Sequence, residues 1–432
     1  MLSKNLCEET TMDYKEALAY IDGVRWYGSK PGLERIGVLL EKLDNPQKHL
    51  KFIHIAGTHG KGSCAAMTAS VFKAAGYRTG LFTSPYLFRF NERMQLNGRP
   101  IEDDTLAALV TEIRPLADAM EDHPTEFELM TAAALLWYRR EKCDIVVLEV
   151  GLGGRFDATN IIDAPEAAVI MNIGLDHTAV LGDTVEQIAF EKAGIVKPGC
   201  EVVLYPQQAS VEAVVHARCE EQSARLHTAD FSQIVPEFDS LEGQVFTYRG
   251  EPCAIPLLGA HQRRNAAVVL ELVEVLRARG WKLEPDAVEH GLYAVSWPAR
   301  FERVHEEPDF IVDGGHNPQC AETVAENLLH YYPAQKRVLL VGVLADKDYA
   351  RLCEILDAAA DAWVCVTPDS ERALPAEELG RFLERFGKSV TVCDSIPDGV
   401  SAALEQAGRD GMACAVGSLY MAGAVRACFQ LY

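Results

Sequence analysis

What most constrains this chain is a recurring pattern. Short apolar runs, each about one strand long, alternate with amphipathic segments from residue 50 towards the C-terminus. LKFIHIAG (50–57), YRTGLFTS, DIVVLEVG, EAAVIMNIG and CEVVLYP read as strands buried on both faces, because they lack the polar alternation of a half-exposed strand. TEFELMTAAALLWYRREK (125–142) reads as a helix, with Thr125 placed to cap its start and Glu128 three residues on to complete a capping box. Strands separated by helices predict a mostly parallel sheet covered on both faces. Between about 229 and 256 the sequence becomes alternating and turn-rich, as in GQVFTYRGEPCAIP, which predicts antiparallel hairpin, and the long helix GAHQRRNAAVVLELVEVLRARG follows. After Ser296–Arg300 the alternation resumes with DFIVDGG, KRVLLVGVL, DAWVCVTP, SVTVCDS and MACAVGS, enough for a doubly wound domain. The expected class is α/β. A P-loop-type, mostly parallel sheet domain takes residues 1–296, with the small antiparallel element folded into it, and a Rossmann-like domain takes 297–432.

Composition narrows the partners. With 41 basic and 63 acidic residues the net charge is −22, which repels both nucleic-acid backbone and anionic membrane. Neither is an expected partner, and any anionic ligand must be met by a local group of cations such as Lys61, Arg155, Lys192 and Arg300. The N-terminal stretch MLSKNLCEETTMDYKEALAYI has no apolar core of a secretory leader, and no segment is long and apolar enough to span a bilayer. The 12 cysteines form no C-x-x-C pair, which argues against a zinc ribbon or dithiol site. Cys143, Cys365 and Cys414 lie in or beside apolar runs, where reduced thiols act as small hydrophobes. A cytoplasmic protein is expected.

The strongest chemical signal is Gly57-Thr58-His59-Gly60-Lys61-Gly62-Ser63, directly after one strand and directly before a helix. Glycines let amide groups turn towards phosphate oxygens, the helix start adds partial positive charge, and Lys61 adds a mobile cation. The loop is shorter than G-x-x-x-x-G-K-[ST], and Gly62 separates the lysine from Ser63; a glycine-rich turn with an incidental lysine is the plainer alternative. Glu149 ends an apolar strand, where a carboxylate can hold Mg²⁺ beside a nucleotide crevice, although alone it reads as a solvated strand end. In GLGGRFDATN the glycines allow close approach to a ligand, and Arg155 and Asp157 supply polar groups. Asp176 and His177 follow another strand, and Glu191 and Lys192 lie near a helix end. Asp313, His316 and Asn317 form a further loop in DFIVDGGHNP. Each of these has an ordinary structural counterpart: a hydrogen-bonded histidine, a solvated lysine, a plain turn.

Taken together, the motifs resemble the folylpolyglutamate synthase and dihydrofolate synthase family, a branch of the Mur-ligase-like ATP-dependent amide ligases. HIAGTHGKGS, GLFTSPYLFRFNERMQLNG, TEFELMTAAAL, LEVGLGGRFDATN, IGLDHTAVLGDTVEQIAFEKAGIVKPG, GAHQRRNAA, WPARFE, VDGGHNP and VGSLYMAGAVR occur in family order along nearly the whole chain. The resemblance implies that Gly60, Lys61, Gly62 and Ser63 cradle the ATP phosphates, and that Asn265, Arg300 and Asp313 also contact ATP. It implies Ser84, Glu149 and His177 as ligands of Mg²⁺, of which two ions can be used. Lys192 matches a lysine carbamylated by CO₂, the N6-carboxylysine of the family, and His316 joins Lys61 and Lys192 among the catalytic positions. Thr125, Glu126, Phe127 and Glu128, with Phe156, Asp157 and Ala158, match the pteroate-binding positions. Three departures stand out: His59 replaces an asparagine, and Ala299 and Gly315 replace the usual residues of PGR and DGAHNP.

By the same resemblance, a substrate carboxylate attacks the γ-phosphorus of ATP, and L-glutamate then displaces phosphate from the acyl phosphate to form an amide. Dihydropteroate and reduced folates are the implied acceptors. The alternatives are a folylpolyglutamate synthase alone, another Mur-type amino-acid ligase, or a nucleotide switch without turnover. A monomer is expected.

Overall fold

The structure, a computed structural model, describes residues 11–24 and 31–431. The first ten residues, which carry part of the leader argument and include Cys7, lie outside the described residues. Two compact units emerge. One comprises the residues up to Tyr86 with Phe90–Ala229 and Glu271–Ala287; the other comprises Leu87–Arg89, Asp230–Leu270 and Val288–Tyr432.

The first unit is built on strands β1 (Phe52–Ala56), β2 (Thr79–Phe82), β3 (Met94–Leu96), β4 (Arg99–Pro100), β5 (Ile145–Glu149), β6 (Ala167–Ile170), β7 (Glu201–Leu204) and β8 (Arg225–Thr228). They form one sheet in the order β4-β3-β2-β5-β1-β6-β7-β8. From β2 to β8 the strands run parallel, and β3 and β4 add an antiparallel edge. Every residue of β1, β2, β5, β6 and β7 is buried, as the unbroken apolar runs require. Phe52, Val146 and Leu148 pack with Leu129, Ala132, Ala133 and Leu136 of the helix Glu126–Arg140, while Ala168, Ile170, Val202 and Leu204 pack with Ile188, Ala189, Val211 and Val215. The strands β3, β4 and β8 had no signal in the sequence. β3 and β4 span three and two residues, and β8 (RLHT) is a polar, partly exposed edge that keeps few apolar residues in any period.

The order turns about β1, which has β5 on one side and β6 on the other. This switch point collects the loops that leave the C-terminal ends of three adjacent parallel strands. Residues 57–60, 150–157 and 171–177 therefore meet although they are scattered in sequence.

The second unit has a meander, β9 (Ile234–Ser240), β10 (Gly243–Tyr248) and β11 (Glu251–Ile255), and a sheet of β12 (Glu302–His305), β13 (Asp309–Val312), β14 (Arg337–Val341), β15 (Ala362–Cys365), β16 (Ser389–Val392) and β17 (Met412–Val416). The sheet order is β12-β13-β17-β14-β15-β16, parallel except for the charged edge strand β12, which the sequence did not signal. Along β14, Leu339 and Val341 enter one core and Val338 and Leu340 the other. Both faces are thus covered, as the period of two demands.

The antiparallel element forms as expected, but it clusters with the second unit. Asp239 explains why: its carboxylate takes Arg263 at 2.6 Å and the Tyr331 hydroxyl at 2.5 Å, and Tyr331 in turn accepts the Gly259 amide at 3.0 Å. Residues 271–287 belong to the first unit, where Trp281 stacks edge-on against Phe72 and Tyr77 and donates its Nε1–H to Glu166. No helix among the described residues is long and apolar enough to cross a membrane, and none of the described cysteines is disulfide-bonded.

Candidate active site

The helix Lys61–Ala74 begins at Gly60, which adopts φ +79° and offers no side chain to cap it. A left-handed residue at this point is easy only for glycine. The N-cap residue therefore supplies no side-chain acceptor to the first turn, in contrast to the Thr125 and Thr184 capping boxes elsewhere in the same unit, and such a helix start suits an anion. The preceding loop is pinned from β6: Thr58 and His59 donate their amides to Asn172 O, and the Thr58 hydroxyl and Gly174 bond to each other at 3.1 Å.

Two lysines converge on one oxygen in this loop. Lys61 Nζ donates to Gly57 O at 3.0 Å and Thr58 O at 3.3 Å, and Lys192 Nζ donates to the same Gly57 O at 2.8 Å. Lys192 occupies the last turn of the helix Val185–Ala193 and is only 5% exposed. Burial, and then the neighbouring Lys61 charge, push its ammonium down to about 7, against a smaller opposing pull from Asp176 and Asp157. It is no solvated helix lysine.

Register sets Glu149 beside Ile55 at the tip of β5. The buried carboxylate accepts the Ser84 amide at 3.1 Å, so two of the three expected metal ligands are joined. His177 is placed differently. It caps the short helix Thr178–Leu181 in the left-handed region, its side chain is 50% exposed, and its Nε2 lies 4.0 Å from Asp176. A non-glycine residue held at positive φ marks local strain of the kind found at ligand loops. Among the described residues no three His, Cys, Asp or Glu side chains gather as a metal cage. Mg²⁺ needs none, since it keeps waters and completes its shell with phosphate oxygens around one or two carboxylates. The hard oxygens of Glu149 and Ser84 fit that ion.

A cavity of about 400 Å³ opens in the same unit, and its walls include Ser84, Thr125, Phe127, Glu128, Phe156, Asp157 and Ala158. Glu126, the first residue of its helix, is not in the wall. Thr125 and Glu128 cap the helix and line the cavity at once: each accepts the other's amide, at 3.3 and 2.7 Å, and both are in the cavity wall. The sequence missed Arg35, a buried cation of the helix Glu34–Lys42 that donates to Glu128 at 3.0 Å. Gly151, expected to let the chain pass close to a ligand, lies against Phe127, where an added Cβ would sit 2.5 Å from the ring. Asp157 accepts the Leu152 amide on one oxygen and Thr159 on the other. Burial raises its carboxyl while these donors pull it down. Arg155 is less available than its motif suggested: it forms a two-point ion pair with Glu191 between the rings of Phe156 and Phe190.

In the second unit Asp313 ties two loops together, accepting Phe301 N at 2.8 Å and Gly315 N at 2.7 Å. Burial raises its carboxyl, opposed chiefly by the Arg300 charge. Arg300 donates to Ala299 O, His316 Nδ1 lies 3.1 Å from Gly314 O, and buried Asn265 donates to Gln262. His261 was not singled out; burial and the charges of Arg264, Arg300 and Arg263 hold its ring neutral, at about 4.

The stretches that carry these residues match two known family domains. Residues 55–273 match the Mur ligase middle domain and residues 299–419 the Mur ligase glutamate ligase domain. The dihydrofolate synthase/folylpolyglutamate synthase of Bacillus subtilis is 35% identical, covering 96% of this chain and 98% of that protein. The folylpolyglutamate synthase of Lacticaseibacillus casei is 36% identical at the same coverage. Among solved structures, Mycobacterium tuberculosis folylpolyglutamate synthase complexed with ADP and AMPPCP superposes with a TM-score of 0.87 at 33% identity, over 96% of this chain and 99% of that one. E. coli FolC in complex with DHPP and ADP gives 0.85 at 29% identity, over 97% and 98%. A loop with two lysines on one carbonyl, a strand-end glutamate beside it and these matches along both chains have one common explanation: the protein belongs to the folylpolyglutamate synthase and dihydrofolate synthase family of Mur ligases.

Proposed function

We propose that this chain is an ATP-dependent ligase that joins L-glutamate by an amide bond to the carboxylate of a pteroate or folate, serving as both folylpolyglutamate synthase and dihydrofolate synthase. The observation that carries this is the position of Ser84, whose amide bonds Glu149 and whose side lines the 400 Å³ cavity. One residue thereby links the phosphate-and-metal end to the acceptor end, as a reaction between an acceptor carboxylate and a γ-phosphate requires.

ATP phosphates would lie on the uncapped helix start, held by Gly60, Lys61, Gly62 and Ser63. Lys61, which folds back on its own loop, has only to release two carbonyls to reach them. Glu149 and Ser84, with His177, would hold Mg²⁺, which would supply charge neutralisation between the phosphates and the attacking carboxylate. That carboxylate attacks the γ-phosphorus, ADP leaves, and the glutamate amine displaces phosphate from the acyl carbon. Asn265, Arg300, Asp313 and His316 are proposed to serve the nucleotide and the transferring phosphoryl group. Thr125 to Glu128 and Phe156 to Ala158 would hold the pteroate, with Glu126 acting from outside the cavity wall.

Lys192 suits carbamylation. An amine pushed down to about 7 is partly neutral at neutral pH; its lone pair then attacks CO₂ and the nitrogen loses a proton to leave a carbamate. The anion would turn the repulsion with Lys61 into attraction and could hold a second Mg²⁺. A cytoplasmic monomer goes with this reading. The test is ADP release with dihydropteroate and with tetrahydrofolate, each with and without L-glutamate, followed by product mass. Glutamate-dependent turnover with both acceptors is expected; ADP formed equally without glutamate or acceptor overturns the ligase assignment.

A further inference from the structure

We propose that His54 and Thr159 form a buried relay that orients Asp157 towards the acceptor cavity, making both of them positioning residues for the acceptor. The proposal rests on the assignment of Asp157 as an acceptor contact. His54 sits in the middle of β1 and is wholly buried. Its neighbours Ile53 and Ile55 show what a central parallel strand ordinarily holds there. A histidine breaks that rule, and local rules are broken mainly where function requires it.

Proton counting fixes the direction of the relay. Asp157 as a carboxylate only accepts, and its Oδ1 lies within hydrogen-bond reach of the Thr159 hydroxyl and 3.0 Å from the Thr159 amide. The single hydroxyl proton of Thr159 therefore points to Asp157. Thr159 Oγ1 is also 2.9 Å from His54 Nε2, so the proton of that bond must come from the ring. Burial keeps His54 neutral, well below its usual range at about 3, and a neutral ring has one N–H only. The ring is then the Nε2–H tautomer, and Nδ1 is a bare acceptor, in keeping with its lack of any partner. The chain of donation runs from His54 Nε2 through Thr159 Oγ1 to Asp157 Oδ1.

At its far end, Asp157 Oδ2 accepts the Leu152 amide at 2.9 Å, and both residues line the cavity. Three donors, the Leu152 amide and the Thr159 amide and hydroxyl, hold the carboxylate in one orientation, and His54 fixes the hydroxyl from the interior of the sheet.

Four proteins test the relay: wild type, Thr159→Val, Thr159→Ser and His54→Leu. Thr159→Val is expected to raise the acceptor KM at least tenfold while the KM for ATP and kcat stay within twofold. Thr159→Ser should restore the wild-type value, and His54→Leu should raise the acceptor KM severalfold. An acceptor KM within twofold of wild type in Thr159→Val, or an equal rise in the KM for ATP, overturns the proposal. Nitrogen-15 NMR of labelled histidine in the wild type, with the His54 ring assigned by through-bond correlation to its own backbone, reads the tautomer without kinetics, so a variant that fails to fold does not shield the idea. An Nε2–H ring supports the relay and an Nδ1–H ring overturns it. Wild type that turns over neither acceptor refutes the ligase assignment instead, and the tautomer then decides the relay alone.

Discussion

Replacing Lys192 by methionine is expected to make the protein more stable and inactive. The side chain is buried, and its ammonium is pushed from 10.5 to about 7. Because the folded value is depressed, the unfolded chain binds more protons between those two values, and stability rises with pH across that window. The penalty is present in full below about 7 and is lost as pH approaches 10.5. At pH 7 it amounts to ~4 kcal/mol, and at pH 9.5 to ~1 kcal/mol. Methionine removes it at every pH. The lost hydrogen bond offsets ~1 kcal/mol, and Gly57 O keeps Lys61 as a donor. Urea unfolding of wild type and Lys192→Met in bicarbonate-free buffer should therefore separate the two by ~3 kcal/mol at pH 7 and bring them nearly together at pH 9.5. A variant less stable than wild type at pH 7, or a gap that does not change with pH, would refute the buried-cation account. Turnover in the same variant should be lost, with no recovery on adding bicarbonate.

Three further outcomes are expected. Lys61→Ala should lower glutamate-dependent ADP release by at least ~10²-fold with an unchanged circular dichroism spectrum, and near-normal turnover would remove Lys61 from the phosphate site. Glu149→Ala should likewise abolish turnover, and because the Ser84 amide loses its acceptor, excess Mg²⁺ should restore little of it; full recovery would place the metal elsewhere. In Gly151→Ala the new Cβ meets the Phe127 ring, so overpacking should cost ~1–3 kcal/mol and raise the acceptor KM while that for ATP holds; calorimetry and steady-state kinetics check the two parts.

Legibility followed burial and locality. Strands such as Ile145–Glu149, buried along their whole length, announce themselves as unbroken apolar runs, and the Thr125 capping box is a three-residue relation that any reader of the chain can see. The short or polar edges β3, β4, β8 and β12 carry no such signal, because each sets at most two apolar residues against a core. The meander was legible as antiparallel strands, yet its allegiance was not, since Asp239 finds Arg263 and Tyr331 only in three dimensions. Arg35 and His54 were invisible for a related reason. An arginine on an amphipathic helix and a histidine in a strand look ordinary until their partners, Glu128 and Thr159, are found 93 and 105 residues away.

By itself the sequence determined the alternating α/β architecture, the glycine-rich loop at a helix start and the family, because these rest on local periodicity and on motifs read in order. Tertiary structure decided what the motif residues do to one another. The strand order about β1 brings the loops after β1, β5 and β6 to one end of the sheet. There Lys192 is driven towards neutrality by burial and by a second lysine on the same carbonyl. Proton affinity and hydrogen-bond direction depend on distance through space and on exclusion of water, and neither is written in the spacing of residues along a chain.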